Sequence, residues 1–404
     1  MMRWIVMAAL LAAAPLWAAD WEVLTDVDNL DAWSSIRGEW SIEDGVITGT
    51  VGKEENAFLI YEGGTFTDFE LECEWRTPEP TNGGVQFRSH RRPRMPLKEG
   101  ETVETAPTLV YGYQANVETR QRTGSGKLID EGGRGTLAET PMKAAKTLKQ
   151  RDWNRMRIVA KNDVIEVYLH DELAHRTEDD KFLSGVIGIQ AYAMGQEAAE
   201  VQYRNISVRE LDSELSWQPI FNGEDFAGWK KWGEEEWAVE DGAIIGRSGP
   251  KKSEGYLATE ETWKDFRVRG MFKMLGEGNF GLFYHSTIKL REKDGYPLIS
   301  GVQGEVTPDY PGTTGGLYES YKRGWIAKPE LDTMEAVALK PGEWNTIEIQ
   351  SIGSHVKTWV NGIRVVDFDD PEPNLFEGSF ALQLHAGGVD GITWKELYAV
   401  ENLK

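Results

Sequence analysis

The chain has 404 residues, with 44 Lys and Arg against 66 Asp and Glu, a formal net charge of −22 and a single cysteine. At roughly 100–200 residues per domain the length predicts two or three domains. A content of 40% hydrophobic and 11% aromatic residues excludes a disordered chain. The negative charge argues against a nucleic-acid-binding protein, because phosphate recognition requires a basic surface.

The N-terminus has the features of a secretory signal peptide. Arg3 precedes the apolar run 4–14, and small residues follow up to Ala19. This run is shorter than the roughly 20 apolar residues that a membrane-spanning helix requires. We therefore expect residues 1–19 to be removed, and the mature chain to be periplasmic or extracellular without a transmembrane segment.

The first clear strand pattern contains the only cysteine. In residues 69–75, Cys73 alternates on one side with Phe69, Leu71 and Trp75. This placement predicts a buried, unreactive thiol, and a single cysteine permits no intramolecular disulfide.

The chain contains one internal repeat. Both copies carry Trp-x-x-Glu-Asp-Gly, and further segments match in the same order at a spacing of about 190 residues, which is the size of a domain rather than of a solenoid unit. The matched pairs are 33–49 and 229–246, 65–75 and 262–272, 82–89 and 279–286, 112–117 and 301–306, 128–135 and 317–324, 152–158 and 343–349, and 185–195 and 378–388. The repeat predicts a first domain at 20–211, a linker at 212–216 and a second domain at 217–404.

Both copies are rich in strand signals. Residues 164–169 and 356–360 are β-branched and aromatic, and Asn361-Gly362 is typical of a type I′ hairpin. No segment has a sustained helical period with caps. Many short strands joined by turn residues predict an all-β fold, either a sandwich or a barrel, for each copy.

Polar residues alternate with core residues at matching places in the two copies. Such strands, if they are neighbours, form one polar sheet face whose amides suit sugar hydroxyls, although an ordinary solvated sheet face is the alternative. Aromatic residues such as Tyr192 and Trp325 could stack on sugar rings. The pairs expected to share a face, and so to bind substrate, are Gln86 and Arg88, Gln114 and Asn116, Gln190 and Tyr192, Gln303 and Glu305, and Gln383 and His385.

In their joint order these segments resemble the 3-keto-disaccharide hydrolase domain. The resembling motifs are Trp-x-x-Glu-Asp-Gly, Asn-x-Gly-x-x-Phe/Tyr-x-Ser, Gly-Tyr-Gln-x-Asn, Trp-Asn before a strand and Gly-Ile-Gln. The resemblance covers nearly the whole mature chain twice. It implies two tandem jelly-roll sandwiches of the concanavalin A-like lectin/glucanase type, with a carbohydrate substrate that carries a ketone at C3.

The implied chemistry begins at the carbon beside that ketone. A base removes the C2 hydrogen, the enolate expels the glycosidic oxygen from C1, and water adds to the product. Such a reaction needs a base, an acid and a group that stabilises the enolate, rather than the two facing carboxylates of an ordinary glycosidase. Family members commonly carry Gly-Tyr-Glu-x-Gln in the central polar strand, so the replacement of that Glu by Gln114 and Gln303 leaves open which copy is catalytic.

The candidate catalytic residues include two matching acid-arginine pairs. Asp130, Glu131 and Arg134 in the first copy align with Glu319 and Arg323 in the second. A carboxylate four residues before an arginine could pair a base with an electrophile, or it could form a salt-bridged loop.

Glu305 and two histidines are further candidates in the second copy. His285 is a candidate base, since a neutral histidine is a good base near pH 7. His285, His385 and Glu305 together could instead hold a divalent metal ion that polarises the ketone.

Two other functions remain open. Glu330, Asp332 and Glu335 fit the Glu-x-Asp-x-x-Glu pattern of β-glucanases, although they fall where the family has a loop. Alternatively, the two copies could form a tandem carbohydrate-binding module without turnover. If all the candidate acids and histidines lie outside the polar faces, the binding function is favoured.

Overall fold

The computed structural model describes residues 21–25, 29–53, 55–94, 98, 100, 102, 105–308, 312–330, 339–340, 342–401 and 403. Residues 1–19, for which the sequence predicts a signal peptide, lie outside this part of the chain. The elements of the first half are β1 (Glu22–Val23), β2 (Trp33–Ile36), β3 (Glu39–Glu43), β4 (Val46–Gly52), β5 (Asn56–Tyr61), β6 (Phe69–Arg76), β7 (Asn82–Pro93), β8 (Thr108–Glu118), β9 (Leu128–Glu131), β10 (Gly135–Ala138), α1 (Met142–Ala145), β11 (Asn154–Lys161), β12 (Val164–Leu169), β13 (Glu172–Glu178), β14 (Val186–Tyr192) and β15 (Ala198–Glu210).

The second half has the same succession of strands without the short helix, within the described residues. Its elements are β16 (Gln218–Pro219), β17 (Trp229–Trp232), β18 (Glu236–Glu240), β19 (Ala243–Arg247), β20 (Gly255–Thr259), β21 (Phe266–Met274), β22 (Phe280–Leu290), β23 (Pro297–Val306), β24 (Leu317–Glu319), β25 (Gly324–Ala327), β26 (Asn345–Ile352), β27 (His355–Val360), β28 (Ile363–Asp369), β29 (Ser379–Leu384) and β30 (Ile392–Glu401).

Each half forms a sandwich of two antiparallel sheets. The back sheet of the first sandwich has the order β13-β12-β11-β6-β15-β4-β3, with β1 beside β15, and the front sheet has the order β10-β9-β8-β7-β14-β5-β2. The second sandwich has the same arrangement. Its back sheet has the order β28-β27-β26-β21-β30-β19-β18, with β16 beside β30, and its front sheet has the order β25-β24-β23-β22-β29-β20-β17. The predicted fold class of two tandem jelly-roll sandwiches is confirmed.

The core of each sandwich lies between its two sheets. Alternate residues such as Val85 and Phe87 on β7 and Tyr113 and Ala115 on β8 point into it and are fully buried. Their polar neighbours must therefore point to the opposite side of the front sheet, which we call the front face. Cys73 is buried in the same core, as predicted, and burial raises the pKa of its thiol to about 12, which disfavours the nucleophilic thiolate.

The hairpin predicted at Asn361-Gly362 joins β27 to β28. Both residues have positive φ, 50° and 78°, as a type I′ turn requires. Among the described residues, no helix has the length and apolar character needed to cross a bilayer.

Candidate functional site

The front face of the first sandwich centres on a glycine. Gly84 on β7 lies between its register partners Asn116 on β8 and Gln190 on β14. A Cβ at Gly84 would lie 2.4 Å from Cδ of Gln114, because that side chain crosses the glycine. The absence of a side chain at this one position allows the neighbouring amides to converge.

These amides are buried and bond to one another. Gln114 Nε2 donates to Asn116 Oδ1 at 3.0 Å, Asn82 Nδ2 donates to the same oxygen at 3.3 Å, and Gln86 donates to Gln114. Gln190 Nε2 donates to Asn56 Oδ1 at 3.0 Å. The predicted polar face therefore exists, with one hydrogen-bonded group around Gln114 and Asn116 and a second at Gln190 and Asn56.

Tyr192 and Glu131 complete this face. Tyr192 lies two residues after Gln190 on β14 and is the register partner of Asn82. Glu131 lies near the amides of Asn56 (3.4 Å) and Gln190 (3.5 Å). Burial and the nearby charge of Asp130 raise the pKa of Glu131, against the lowering effect of the Asn56 hydrogen bond.

The second sandwich repeats this frame with an acid at its centre. Gly281 lies between its register partners Glu305 on β23 and Gln383 on β29. Glu305 therefore occupies the place of Asn116. Its carboxylate accepts hydrogen bonds from Gln303 Nε2 at 2.8 Å and from the amide of Asn279.

Glu305 has a strongly perturbed environment. Its exposed fraction is only 3%. Burial raises the pKa of Glu305 to about 7, although the Asn279 hydrogen bond acts in the opposite direction. A carboxylate poised near neutral pH has the proton affinity that a general base or acid needs.

A second acid on this face, Glu254, was missed by the sequence reasoning. Its Oε1 accepts from Gln383 Nε2 at 2.9 Å, and its Oε2 accepts from the hydroxyls of Tyr321 at 2.5 Å and Tyr296 at 3.1 Å. By its bond to Gln383, Glu254 occupies the place of Asn56 in the first sandwich. The two copies differ there in residue type, so no repeat motif marked it.

Trp325 lies at the edge of the same front face. Gln303, Tyr318 and Trp325 are register partners across β23, β24 and β25. The Tyr318 and Trp325 ring centroids are 5.4 Å apart at an interplanar angle of 82°. With 36% of its surface exposed, Trp325 is available for stacking on a sugar ring.

Arg88 and His285 are not on the front faces, and the shared face predicted for Gln86 and Arg88 is wrong. Both residues lie in β-bulges and have positive φ, 44° and 47°, so the alternation that the sequence argument assumed is interrupted there. Arg88 Nη2 donates to Thr67 O at 2.6 Å, and His285 Nε2 lies 2.7 Å from Lys264 O.

The two acid-arginine pairs are structural in both copies. Arg134 bonds to Asp130 at 2.5 Å and holds Asp179 with both terminal nitrogens, at 2.7 and 2.9 Å. Through these ion pairs Arg134 connects the β9–β10 loop to the residues that follow β13. Asp130 is the register partner of the core residue Tyr113, so it points away from the front face.

The second copy builds the same arrangement from equivalent residues. Arg323 bonds to Glu319 and holds Asp370 at 2.7 and 2.8 Å. The salt-bridge interpretation therefore describes both pairs, and of these acids only Glu131 reaches a front face.

The proposed metal site is not assembled. His385 follows the last residue of β29, is exposed, and has Nδ1 2.8 Å from Ala386 O, whereas His285 is held at its bulge. Within the described residues, no group of three His, Cys, Asp or Glu side chains could hold a metal ion. The histidines therefore do not join Glu305.

The position of Glu330 does not support the β-glucanase pattern. Glu330 is exposed and lies outside any strand, whereas such an enzyme needs paired acids on a groove strand. Asp332 and Glu335 lie outside the described residues.

The fold and the site define the class of this protein. It has two tandem jelly-roll sandwiches, and each carries amides and acids on its front face. The chain matches the 3-keto-alpha-glucoside-1,2-lyase-like domain twice, over residues 20–209 and 216–398. It therefore belongs to this family.

Individual relatives are distant. The 3-keto-disaccharide hydrolase of Bacteroides thetaiotaomicron is 26% identical over 195 residues, which span 44% of this chain and 66% of that protein. Among solved structures, a carbohydrate-binding module from Bacillus subtilis is 19% identical, covering 45% of this chain and 98% of its own, with a TM-score of 0.34. A Bacillus subtilis protein of unknown function with a galectin-like fold is 15% identical, covering 46% and 94%, with a TM-score of 0.37.

Proposed function

We propose that this protein is an exported enzyme that cleaves 3-keto-glycosides, and that the reaction takes place on the front face of the second sandwich. The observation that carries the proposal is Glu305, a buried carboxylate whose pKa is raised to about 7 among amide donors. Membership of the family supports this substrate class, and the signal-peptide pattern at residues 1–19 supports export.

In this proposal Glu305 removes the hydrogen from C2 of the keto-sugar. The electron pair moves into the enolate, the bond from C1 to the glycosidic oxygen breaks, and water then adds to the unsaturated product. The net reaction is hydrolysis. The amides of Asn279 and Gln303 hold the carboxylate in position, which reduces the reorganisation that proton transfer would otherwise require.

The leaving oxygen needs a proton, and Tyr321 is our candidate donor. Its hydroxyl lies 2.5 Å from Glu254 Oε2 and carries its proton at neutral pH, as an ordinary tyrosine with a pKa near 10 does. Of the two tyrosines that donate to Glu254, Tyr321 is more accessible than Tyr296, since the exposed fraction of Tyr321 is 63%. In the first sandwich Asn116 replaces the base, so we assign that front face to sugar binding.

The test compares a 3-keto-disaccharide with the same disaccharide before oxidation. We expect cleavage of the keto form alone, because only the ketone acidifies the C2 hydrogen. Glu305→Gln should lower kcat by about 100- to 10,000-fold, the range for a lost general base. Glu396→Gln, which alters an exposed acid on the back sheet of the same domain, is the matched control. An unchanged rate in Glu305→Gln would remove this assignment.

A tandem carbohydrate-binding protein without turnover is the second candidate. The network of the first front face favours it, since Gln86, Gln114 and Asn116 carry no acid at the centre. Binding of the 3-keto-disaccharide without any cleavage would support this candidate and eliminate the enzyme.

A further inference from the structure

The first sandwich has a separate polar cavity beyond the end of β8. It measures about 560 Å³ and lies against the loops that follow β6, β8 and α1. Small-ligand sites typically have volumes of about 300–1,000 Å³, so this cavity has room for a monosaccharide or disaccharide.

The charge of this cavity opposes that of the whole chain. Arg120, Arg122, Lys149 and Arg151 line it together with one carboxylate, Glu118, in a chain whose net charge is −22. A cluster of one sign in a concave site concentrates ligands of the opposite sign.

Two of these cations are already paired. Arg120 holds Glu118 through Nε at 3.0 Å and Nη2 at 2.7 Å, and Arg151 lies 2.7 Å from Glu79. Arg122 and Lys149 are exposed, and neither has an ion pair among the described residues. They are therefore the charges available to a ligand.

The wall of the cavity also contains an unused donor. Trp75 is 1% exposed, and its indole N–H has no hydrogen-bond partner among the residues that the structure describes. The indole is therefore part of the buried wall of the cavity.

Arg120, Arg122 and Arg151 of this cavity occur in the first copy only, whereas Lys149 corresponds to Lys340 in the second copy. The first repeat has Thr119-Arg120-Gln121-Arg122 after the central strand, where the second repeat has Pro308-Asp309-Tyr310-Pro311. Arg120 and Arg122 are therefore specific to the first domain and are not part of the repeated sequence pattern.

We propose that this cavity binds a saccharide that carries a carboxylate or a sulfate. Arg122 and Lys149 hold the anionic group, with the planar donor fork of arginine suited to its oxygens. This site adjoins the first front face, because Glu118 in its lining accepts from Asn82 Nδ2 at 3.4 Å, but it does not depend on the proposed reaction.

Calorimetric titration of the purified protein with glucuronic acid, glucose and inorganic sulfate tests the proposal. We expect glucuronate to bind at least about tenfold more tightly than glucose, with an affinity that falls as salt is added. Arg122→Gln and Lys149→Gln should each weaken glucuronate binding by about three- to tenfold. Lys146→Gln, an exposed charge near α1 that does not line the cavity, should leave it unchanged.

Three results would overturn the proposal. Equal affinity for glucose and glucuronate would remove the role of the charge. An unchanged affinity in both Arg122→Gln and Lys149→Gln would place the ligand elsewhere. Sulfate binding as tight as glucuronate binding would leave an anion site without sugar recognition. Because each readout is binding, a failure of the cleavage experiment does not affect this test.

Discussion

Glu305 and Asn116 occupy the same place in the two sandwiches and differ by one functional group. Each faces a glycine, Gly281 or Gly84, and each bonds to a glutamine two residues earlier on its own strand. An amide does not ionise, so burial does not change its charge, whereas burial raises the pKa of a carboxylate. This one residue therefore decides which sandwich has a carboxylate at the centre of its front face.

The pH dependence of cleavage follows from this residue. A base acts only when deprotonated, so kcat/KM should rise as the pH passes through about 7, the pKa of Glu305, and level off above it. The measurement is a pH profile of kcat/KM on the 3-keto-disaccharide. A flat profile between pH 5 and about 8 would be inconsistent with Glu305 as the base.

Stability at high pH provides the folding control for the Glu305 variant. Because the folded-state pKa of Glu305 is raised, the folded protein binds the extra proton, and this residue's contribution to stability falls as the pH rises from about 4.5 to 7. Glu305→Gln should therefore be no less stable than the wild type at pH 8, measured by urea unfolding.

Arg88 is a structural residue, and its replacement should destabilise the fold. Its guanidinium donates to the carbonyls of Thr67 (2.6 Å) and Asn162 (2.7 Å), and burial lowers its pKa to about 10. Arg88→Met should lower the free energy of unfolding by about 2–4 kcal/mol, since buried carbonyls lose charged donors. Arg91→Met, which removes a half-exposed ion pair with Glu62, should cost less than about 1 kcal/mol.

At the scale of the element, the β-bulges and the arginine-centred loops explain most of the differences from the sequence expectations. An extra residue in β7 and in β22 turns Arg88 and His285 away from the front face, and strict alternation cannot reveal such an insertion. The hairpin at Asn361-Gly362 is the opposite case, because two local residue types specify its geometry.

The loops centred on Arg134 and Arg323 should respond to acid. Burial alone would raise the pKa of Asp179, but the hydrogen bonds from Arg134 and Tyr113 outweigh it and lower that pKa. The hydrogen bonds from Arg323 lower the pKa of Asp370. A depressed pKa stabilises the fold above about pH 4, and this contribution is lost as the pH falls through the folded-state value.

We therefore expect Asp179→Asn and Asp370→Asn each to lower stability by about 2 kcal/mol at pH 7. Below pH 4 the difference from the wild type should shrink, because the wild type loses the same charge. Thermal unfolding at a series of pH values measures both effects, and a constant difference at all pH values would contradict the explanation.

At the scale of the whole molecule, the loop of the first sandwich that contains residues 180–184 makes direct hydrogen bonds to the second sandwich. Leu183 N donates to Gly362 O and Arg364 N donates to Lys181 O, each at 2.8 Å. In the same loop the Asp180 carboxylate pairs with Lys357 at 2.6 Å and with Arg364, and its carbonyl accepts from Trp359 Nε1 at 2.7 Å. The tip of the second-domain hairpin thus pairs with the first domain.

Asp180 should couple the unfolding of the two domains. Asp180→Asn keeps the backbone bonds and removes the two ion pairs, at a cost of about 2 kcal/mol to the contact. Calorimetry should then resolve two transitions more widely separated than in the wild type. Asp171→Asn, at a side chain that is 94% exposed, is the matched control. Identical traces for Asp180→Asn and the wild type would show that the contact does not couple the domains.

The sequence by itself determined the duplication, the all-β class and the presence of a polar face on each sandwich, because local residue order specifies repetition, alternation and turn chemistry. It also placed Gln114, Asn116, Gln303 and Glu305 on polar faces, since these residues lie in uninterrupted strands.

Only the tertiary structure decided which acids reach those faces. Glu131 and Asp130 are adjacent in sequence, yet one faces the amides and the other is held by Arg134. Glu254 joins the second face through contacts with Gln383 and Tyr321, which are distant along the chain. Bulges and long-range pairing set these positions, and both depend on how strands meet rather than on what each strand contains.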